Sequence, residues 1–255
     1  MLHLLLVGED RGHLRLGTGL VDRVLSEEGP AWLTELMDSS PEAARSWRAH
    51  DGLAYFDLHK IDELCKKHDA RLLHGHFTGE PGAAGAQMAR NVFLLARHLI
   101  QRGHQLDAVV LLWDMDGKAA ERRRGLEQAR AEARALRSVD IALGCPDHEG
   151  EAWVLAGFEP QTDQEREALA RLTRELGFSP VKDSHRLHAA RDHEPRSVKR
   201  VLEVLTSGEQ ERAQQCWRLT SLATLEERGE HNGLRDFLKE LREVLLPRVG
   251  AARRG

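Results

Sequence analysis

Short apolar runs alternate with amphipathic stretches through the first 160 residues of the chain. The run Leu2–Val7 is short, continuous and apolar on both faces, which is typical of a central strand buried in a sheet covered by helices. The runs Ala108–Trp113 and Val139–Leu143 predict two further strands, the first of them with the strongest strand pattern in the chain. A further run, Ala70–Phe77, predicts the second strand in chain order. Strands that alternate with helices indicate an α/β fold with a mainly parallel, Rossmann-like sheet flanked by helices.

Amphipathic patterns between and after these runs predict the helices. Apolar residues recur at helical spacing, or helix-forming residues run without a breaker, in Leu16–Ser26, Leu58–His68, Gln87–Gln101 and Ala119–Arg137. Prolines and glycines interrupt the region 29–69, which we interpret as a helical insertion. The later part is almost wholly helical, with predicted helices at Gln164–Leu176, Ser197–Leu205, Glu209–Glu227 and Gly233–Val244. We therefore expect an α/β domain over 1–160 and a helical region over 161–255 packed on it.

The composition argues against several classes of protein but does not indicate a particular function. The 255 residues carry 41 acidic and 37 basic side chains, so the chain has no polybasic coat, although a local basic groove stays possible. No apolar run approaches the ~20 residues of a membrane span, and the opening MLHLLLVGED reads as a strand and not as a signal peptide. The three cysteines, Cys65, Cys145 and Cys216, show no CxxC spacing, which favours a reduced, cytoplasmic setting over a thiolate zinc site.

Acidic residues follow three of the predicted strands. They are Glu9 and Asp10 after the first, Asp114 and Asp116 after Ala108–Trp113, and Asp147, Glu149 and Glu151 after Val139–Leu143. The carboxyl ends of parallel strands share one edge of a sheet, so we expect these carboxylates to converge there. A divalent cation such as Mg²⁺ or Mn²⁺ would relieve their repulsion, and i and i+2 residues of extended backbone, such as Asp114 and Asp116, can address one ion. The alternative is that such acids are solvated loop residues or helix N-caps.

The strand-end motifs resemble those of TOPRIM domains, in which a glutamate closes the first strand and a DxD pair closes a later one. The matching strings are LLLVGED and VVLLWDMDG. The string EGEAWVLA, Glu149–Ala156, and the closing segment LATLEERGEHNGLRDFLKELREVL are similar to a little-characterised TOPRIM family related to the OLD nucleases. His13 departs from the family pattern, because a second acid is expected at that position.

The resemblance implies a fold, an activity and partners. It implies a TOPRIM-type nuclease that hydrolyses DNA or RNA, and an ATPase partner with which it acts in bacterial anti-phage defence. The implied metal ligands for Mg²⁺ or Mn²⁺ are Glu9, Asp114, Asp116, Glu149 and Glu151. Glu9, Asp114 and Asp116 are the implied catalytic residues, with Glu9 as a ligand or as the general base. No membrane association is expected, and a homo-oligomer is left open.

Two other functions fit parts of the same sequence. Haloacid-dehalogenase-type phosphatases also carry a strand that ends in DxDG, with the first aspartate, here Asp114, as the nucleophile. A catalytically impaired regulatory subunit would explain His13 in place of an acid.

Basic and histidine-rich segments provide the remaining candidates. The segment around 182–200 is the most basic of the chain. One interpretation is that it lines a nucleic-acid groove, and the alternative is that it forms an ordinary solvated surface. His74 and His76 close the predicted strand Ala70–Phe77. One interpretation is that they bind a metal or a scissile phosphate, and the alternative is that they form hydrogen bonds with backbone groups at the sheet edge.

Overall fold

A parallel β-sheet organises the first half of the chain. The protein is represented by a computed structural model that describes residues 1–47, 55–136, 139–189 and 191–252. The strands are β1 (Leu2–Gly8), β2 (Arg45–Trp47), β3 (Phe56–Asp57), β4 (Ala108–Leu112) and β5 (Asp140–Gly144). Their order is β2-β1-β4-β5, and every pair is parallel. The short strand β3 pairs with Val7 and Gly8 at the end of β1, whereas β2 pairs with Leu2, His3 and Leu4 at its beginning. The prediction of an α/β fold with a parallel sheet flanked by helices is confirmed.

Helices make up most of the remaining structure. Those of the first half are α1 (Arg11–Glu28), α2 (Ala31–Ser39), α3 (Pro41–Ala44), α4 (Ile61–Lys67), α5 (Ala86–Gln101) and α6 (Ala119–Ala135). Those of the second half are α7 (Glu151–Ala156), α8 (Asp163–Leu176), α9 (Val198–Thr206), α10 (Gln210–Leu219), α11 (Leu222–Arg228) and α12 (Leu234–Ala252). Short 3₁₀ turns at Leu58–Lys60 and Ser184–Arg186 precede α4 and α9. Within the described residues, no helix has the length and apolar character that crossing a bilayer requires.

The chain divides into two compact units by its own packing. The first comprises Met1–Trp113, Lys118–Gly144 and the chain from Lys239 onward, and it holds the whole sheet. The second comprises Asp114–Gly117 and Cys145–Leu238. The domain boundary expected near residue 160 stays a prediction, since compactness does not establish that either part folds alone.

The core of the first unit lies around its two central strands. Leu4 and Leu6 of β1 and Val110 of β4 have no exposed surface, and neither do Leu20 and Val24 of α1. Because helices flank the sheet, β1 and β4 bury side chains from both faces, which explains why their sequences are continuous apolar runs.

The second unit has a separate apolar core. Phe158 and Leu155 are fully buried together with Leu172 of α8 and Val201 of α9. Trp153 of α7 has no exposed surface, and its ring stacks on that of Phe237 with centroids 5.1 Å apart. Such buried apolar area is the main stabilising contribution to a helical unit of this size.

The predicted strand Ala70–Phe77 is wrong. Most of this segment is irregular, and only Phe77 forms an isolated bridge, with Glu80. Its carbonyl groups bond to side chains of α5: Gln87 donates to the carbonyl of Leu73 at 2.7 Å, and Arg90 donates to that of His76 at 2.9 Å. Since helix side chains satisfy these backbone acceptors, the segment needs no neighbouring strand.

Two helical predictions also differ from the structure. The region 29–69 contains α2, α3 and α4 as expected, but it also supplies β2 and β3 to the sheet, while residues 48–54 lie outside the described part. The single helix predicted over Glu209–Glu227 is interrupted at Thr220 and Ser221. There the Thr220 hydroxyl donates to the carbonyl of Gly157 at 2.6 Å, and Ser221 caps α11 by accepting the amide of Thr224. The predicted helix over Ala119–Arg137 is α6, and Arg137 lies outside the described residues.

Candidate metal centre

Three neighbouring strands end at the same level of the sheet. Val7 of β1 is opposite Leu111 of β4, and Leu112 of β4 is opposite Gly144 of β5. The amide of Trp113 donates to the carbonyl of Gly144 at 3.0 Å, which extends this pairing by one residue. The residues that follow these strands therefore leave the sheet at one edge, as expected for a parallel arrangement.

Two acids and a histidine form a compact group at these strand ends. Glu9 follows β1, His13 lies in the first turn of α1, and Asp114 follows Trp113. Each offers one ligand atom, and these atoms all lie within 4.8 Å of one another. His13 is buried, and the side chain of Glu9 is 17% exposed. The two carboxylates of this group could hold one metal ion.

The beginning of α1 fixes the histidine of this group. Asp10 is the N-cap, and its carboxylate accepts the amide of His13 at 2.9 Å. The amide of Glu9 donates to His13 Nδ1 at 3.1 Å. With Nδ1 as an acceptor, a neutral imidazole carries its hydrogen on Nε2 and acts there as a donor. The oxygen ligands of the group are then the carboxylates of Glu9 and Asp114.

The DxD loop turns earlier than its sequence suggests. The amide of Met115 donates to the carbonyl of Pro146 at 3.1 Å, and that of Asp116 donates to the carbonyl of His148 at 3.2 Å. Asp116 has φ 43°, in the left-handed region, and its side chain is exposed. The expected extended i, i+2 arrangement is therefore absent, and Asp116 is not part of the Glu9–His13–Asp114 group.

The loop after β5 contributes two further acids. Lys199 of α9 donates to Glu149 at 2.9 Å. Burial raises the pKa of Glu151, and the nearby negative charges of Glu149 and Asp114 raise it further, while Lys199 opposes them. The charges of Asp114, Glu149 and Glu151 are thus close enough to influence one another within the second unit.

Lys199 joins this acidic loop although the sequence does not connect them. Burial alone would lower its pKa, but the bond to Glu149 and the charge of Glu151 outweigh burial and raise the pKa of Lys199. The contact joins residues 50 positions apart, so no local pattern announces it. Its place in the basic segment is the only signal that the sequence offers.

The end of β1 carries a second group that the sequence analysis missed. Asp57, the last residue of β3, is opposite Gly8. Its carboxylate accepts the amide of His59 at 2.9 Å, and His59 Nε2 lies 3.6 Å from Glu9 Oε1. The weak pattern of region 29–69 gave no reason to place His59 beside Glu9.

The other candidates lie apart from the Glu9–His13–Asp114 group. His74 and His76 have exposed side chains in the irregular segment before α5, and neither is part of that group. Arg122 of α6 lies over the ring of Trp113 at 5.1 Å from its centroid. Its guanidinium thus lies beside the residue that precedes Asp114.

Comparisons of the chain with protein-family models, with curated proteins and with solved structures give no match.

Proposed function

We propose that this protein is a metal-dependent nuclease that hydrolyses phosphodiester bonds. The observation that carries the proposal is the group of Glu9, His13 and Asp114, whose ligand atoms lie within 4.8 Å of one another after adjacent parallel strands. Ligands of open parallel sheets gather at the carboxyl ends of strands, so the group is where a substrate site is expected.

The chemistry of the donors fits a small hard cation. Glu9 and Asp114 supply carboxylate oxygens, which suit Mg²⁺ or Mn²⁺ better than soft metals. Burial raises the pKa of Glu151, and the charges of Glu149 and Asp114 raise it further, so a cation bound beside these carboxylates would favour their charged forms. When bound, Mg²⁺ or Mn²⁺ supplies charge that stabilises a phosphoryl group during in-line displacement and makes water more acidic.

The side chains of the protein have separate roles in this proposal. Glu9 and Asp114 hold the cation, and Glu149 and Glu151 are candidates for a second position. His59, 3.6 Å from Glu9, can exchange a proton with it. Lys199, beside Glu149, offers a positive charge to a phosphate oxygen.

The resemblance to TOPRIM proteins related to OLD nucleases supplies the rest of the proposal. On this basis the protein is the nuclease subunit of an anti-phage system and acts with an ATPase partner. Cells that carry the gene should then restrict phage plating only together with the ATPase gene, and Asp114→Asn should abolish the restriction.

Metal binding and strand cleavage test the nuclease proposal together. Mn²⁺ binding to the purified protein is followed by electron paramagnetic resonance, and nicking of supercoiled plasmid is followed with Mg²⁺ or Mn²⁺. Glu9→Gln and Asp114→Asn should weaken Mn²⁺ binding by about tenfold or more and abolish nicking, since each removes one charged oxygen ligand. Glu121→Gln, an exposed acid of α6, is the matched control and should behave as the wild type.

Two results would overturn this assignment. Turnover of a simple phosphate ester through a phospho-Asp114 intermediate, without nicking, would establish the phosphatase alternative. Wild-type protein that neither binds Mn²⁺ nor nicks plasmid, with and without the ATPase, would indicate a regulatory subunit whose scaffold is retained.

A further inference from the structure

The basic segment (residues 182–200) is the most positive part of the second unit. It contains six Lys or Arg residues and three Asp or Glu residues, whereas the whole chain has a net charge of −4. Its apolar residues Val181, at the border, and Leu187 are buried. The large apolar side chains of this part of the chain are thus turned inward, and the exposed side chains that the structure describes are mainly charged or histidine, which suits an anionic partner better than an apolar one.

Two arginines of this segment are held over one aromatic ring. The guanidinium carbon of Arg186 lies 4.1 Å from the centroid of Phe178, and that of Arg196 lies 5.8 Å from the same centroid. Both side chains are exposed, while Phe178 is buried. Stacking on a ring restricts a guanidinium and leaves its N–H edge available to an acceptor.

The ion pairs of this segment leave out both of these guanidinium groups within the described residues. In the part of the chain that the structure describes, neither Arg186 nor Arg196 forms an ion pair with a carboxylate, whereas Arg191 and Arg200 pair with Glu194 and Glu175. Two like charges fixed near one ring repel each other unless an anion binds them. An anion with several charged oxygens, such as a phosphodiester, fits this arrangement.

The basic segment lies against the loop that carries Glu149 and Glu151. Lys199 bonds to Glu149 at 2.9 Å, and the rings of His188 and His148 have centroids 6.0 Å apart. Nδ1 of His188 is 2.7 Å from the carbonyl oxygen of Arg186. A chain of phosphates that reaches the acidic loop would therefore extend along this segment.

We propose that Arg186 and Arg196, held over Phe178, bind the phosphate backbone of a nucleic acid outside the acidic site. The proposal rests on the proposed nuclease function, since it assigns the surface that holds the substrate of that site. Backbone contacts of this kind give affinity without reading sequence, so the surface binds strands of any sequence.

Salt-dependent binding without metal tests the proposal separately from cleavage. The anisotropy of a labelled duplex and of a labelled single strand, each of about 20 nucleotides per strand, is titrated with the full protein in EDTA between about 50 and 200 mM salt. Arg186→Gln/Arg196→Gln should lower the slope of log K against log salt by about 1.8 for duplex or about 1.4 for single strand, as two lost phosphate contacts predict. Arg186→Lys/Arg196→Lys, which keeps both charges, should keep most of the slope.

A matched control removes the same charge elsewhere in the second unit. Arg166 and Arg218 are about half exposed and pair with Asp163 and Glu211, so Arg166→Gln/Arg218→Gln should leave the slope unchanged. Circular dichroism and thermal melting of each variant establish that it is folded. A folded Arg186→Gln/Arg196→Gln variant with the wild-type slope would overturn the proposal, and so would binding of the wild type to anionic phospholipid vesicles but not to nucleic acid. EDTA removes the metal, so this assay measures binding alone. Loss of cleavage in Asp114→Asn with intact binding is therefore the result that both proposals expect.

Discussion

The indole of Trp153 donates to the backbone carbonyl of Asn232 at 2.8 Å, and neither residue has any exposed surface. Asn232 also forms hydrogen bonds with its backbone carbonyl, its side-chain amide and its side-chain oxygen. Its carbonyl accepts the amide of Asp147 at 2.9 Å, and its side-chain amide donates to Ser184 at 2.9 Å. Its side-chain oxygen accepts the amide of Leu234 at 3.0 Å. Asn232 thus holds the start of the loop that bears Glu149 and Glu151, and it is a positioning residue.

Asn232→Ala should therefore destabilise the protein more than its size suggests. The alanine keeps the backbone carbonyl but leaves the amide of Leu234 and the hydroxyl of Ser184 without their buried partner, at a cost of about 3 kcal/mol in the free energy of unfolding. Urea unfolding followed by fluorescence measures this cost. Gln164→Ala, on the exposed face of α8, is the control and should change stability by less than about 0.5 kcal/mol. A similar, small effect of both variants would show that the side-chain bonds of Asn232 to Ser184 and Leu234 contribute little to stability.

Arg90 has a comparable role under the irregular segment before α5. Its guanidinium, 2% exposed, donates to both carboxylate oxygens of Glu132 and to the carbonyl of His76, and it stacks on Phe77 at 3.4 Å. Arg90→Met should cost about 3 kcal/mol of unfolding free energy, because it leaves Glu132 unpaired and this backbone unsatisfied. Hydrogen exchange of the Phe77 amide should also become faster.

The matched variants for Arg90 separate charge from shape. Arg90→Lys keeps the charge but not the paired N–H groups, so its stability should lie between those of the wild type and Arg90→Met. Arg102→Met, at an exposed position just after α5, should be nearly neutral. Unchanged exchange at Phe77 in Arg90→Met would show that the guanidinium does not hold this segment.

The sequence predicts those parts of the fold that have a long, regular pattern. Strands β1, β4 and β5 are evident as continuous apolar runs, α5 from apolar positions at helical spacing, and α6 from a long stretch of helix-forming residues without a breaker. Strands β2 and β3 have only three and two residues, too few for a period, and the neighbouring helices conceal them. Ala70–Phe77 fails for the opposite reason: Phe77 is buried beneath Arg90, and side chains of α5, not a neighbouring strand, bond to the carbonyl groups of this segment.

Some residues of the candidate site could likewise be predicted from the sequence, and others could not. The positions of Glu9 and Asp114 at the strand ends follow from the apolar runs that precede them. His13 stands where the proposed TOPRIM motif would have an acid, but its bond to the amide of Glu9 depends on how α1 begins. Lys199 and Asn232 reach the acidic loop through contacts that span 50 and 85 positions, which only the folded chain brings together.

The raised pKa of Glu151 predicts how stability depends on pH. Burial is the main cause, so the folded state holds the proton of Glu151 more tightly than the unfolded chain, whose value is 4.5. The contribution of this group to stability is complete below pH 4.5 and is lost as the pH rises through the folded pKa. Glu151→Gln, which has no charge to bury, should therefore be more stable than the wild type at pH 7, and this advantage should shrink at pH 4. Urea unfolding at both pH values measures the difference, with Glu121→Gln as the exposed control.

Mg²⁺ should reverse the ranking of Glu151→Gln and the wild type. A cation that binds only the folded state adds stability, and it adds most where the carboxylate is present. In excess Mg²⁺ at pH 7, the wild type should thus gain more unfolding free energy than Glu151→Gln. If the two proteins gain equally from Mg²⁺, Glu151 is not part of the cation site. If Glu151→Gln instead loses stability by the same amount at pH 4 and pH 7, its carboxylate stabilises the fold through hydrogen bonds, and burial of its charge is not the dominant cost.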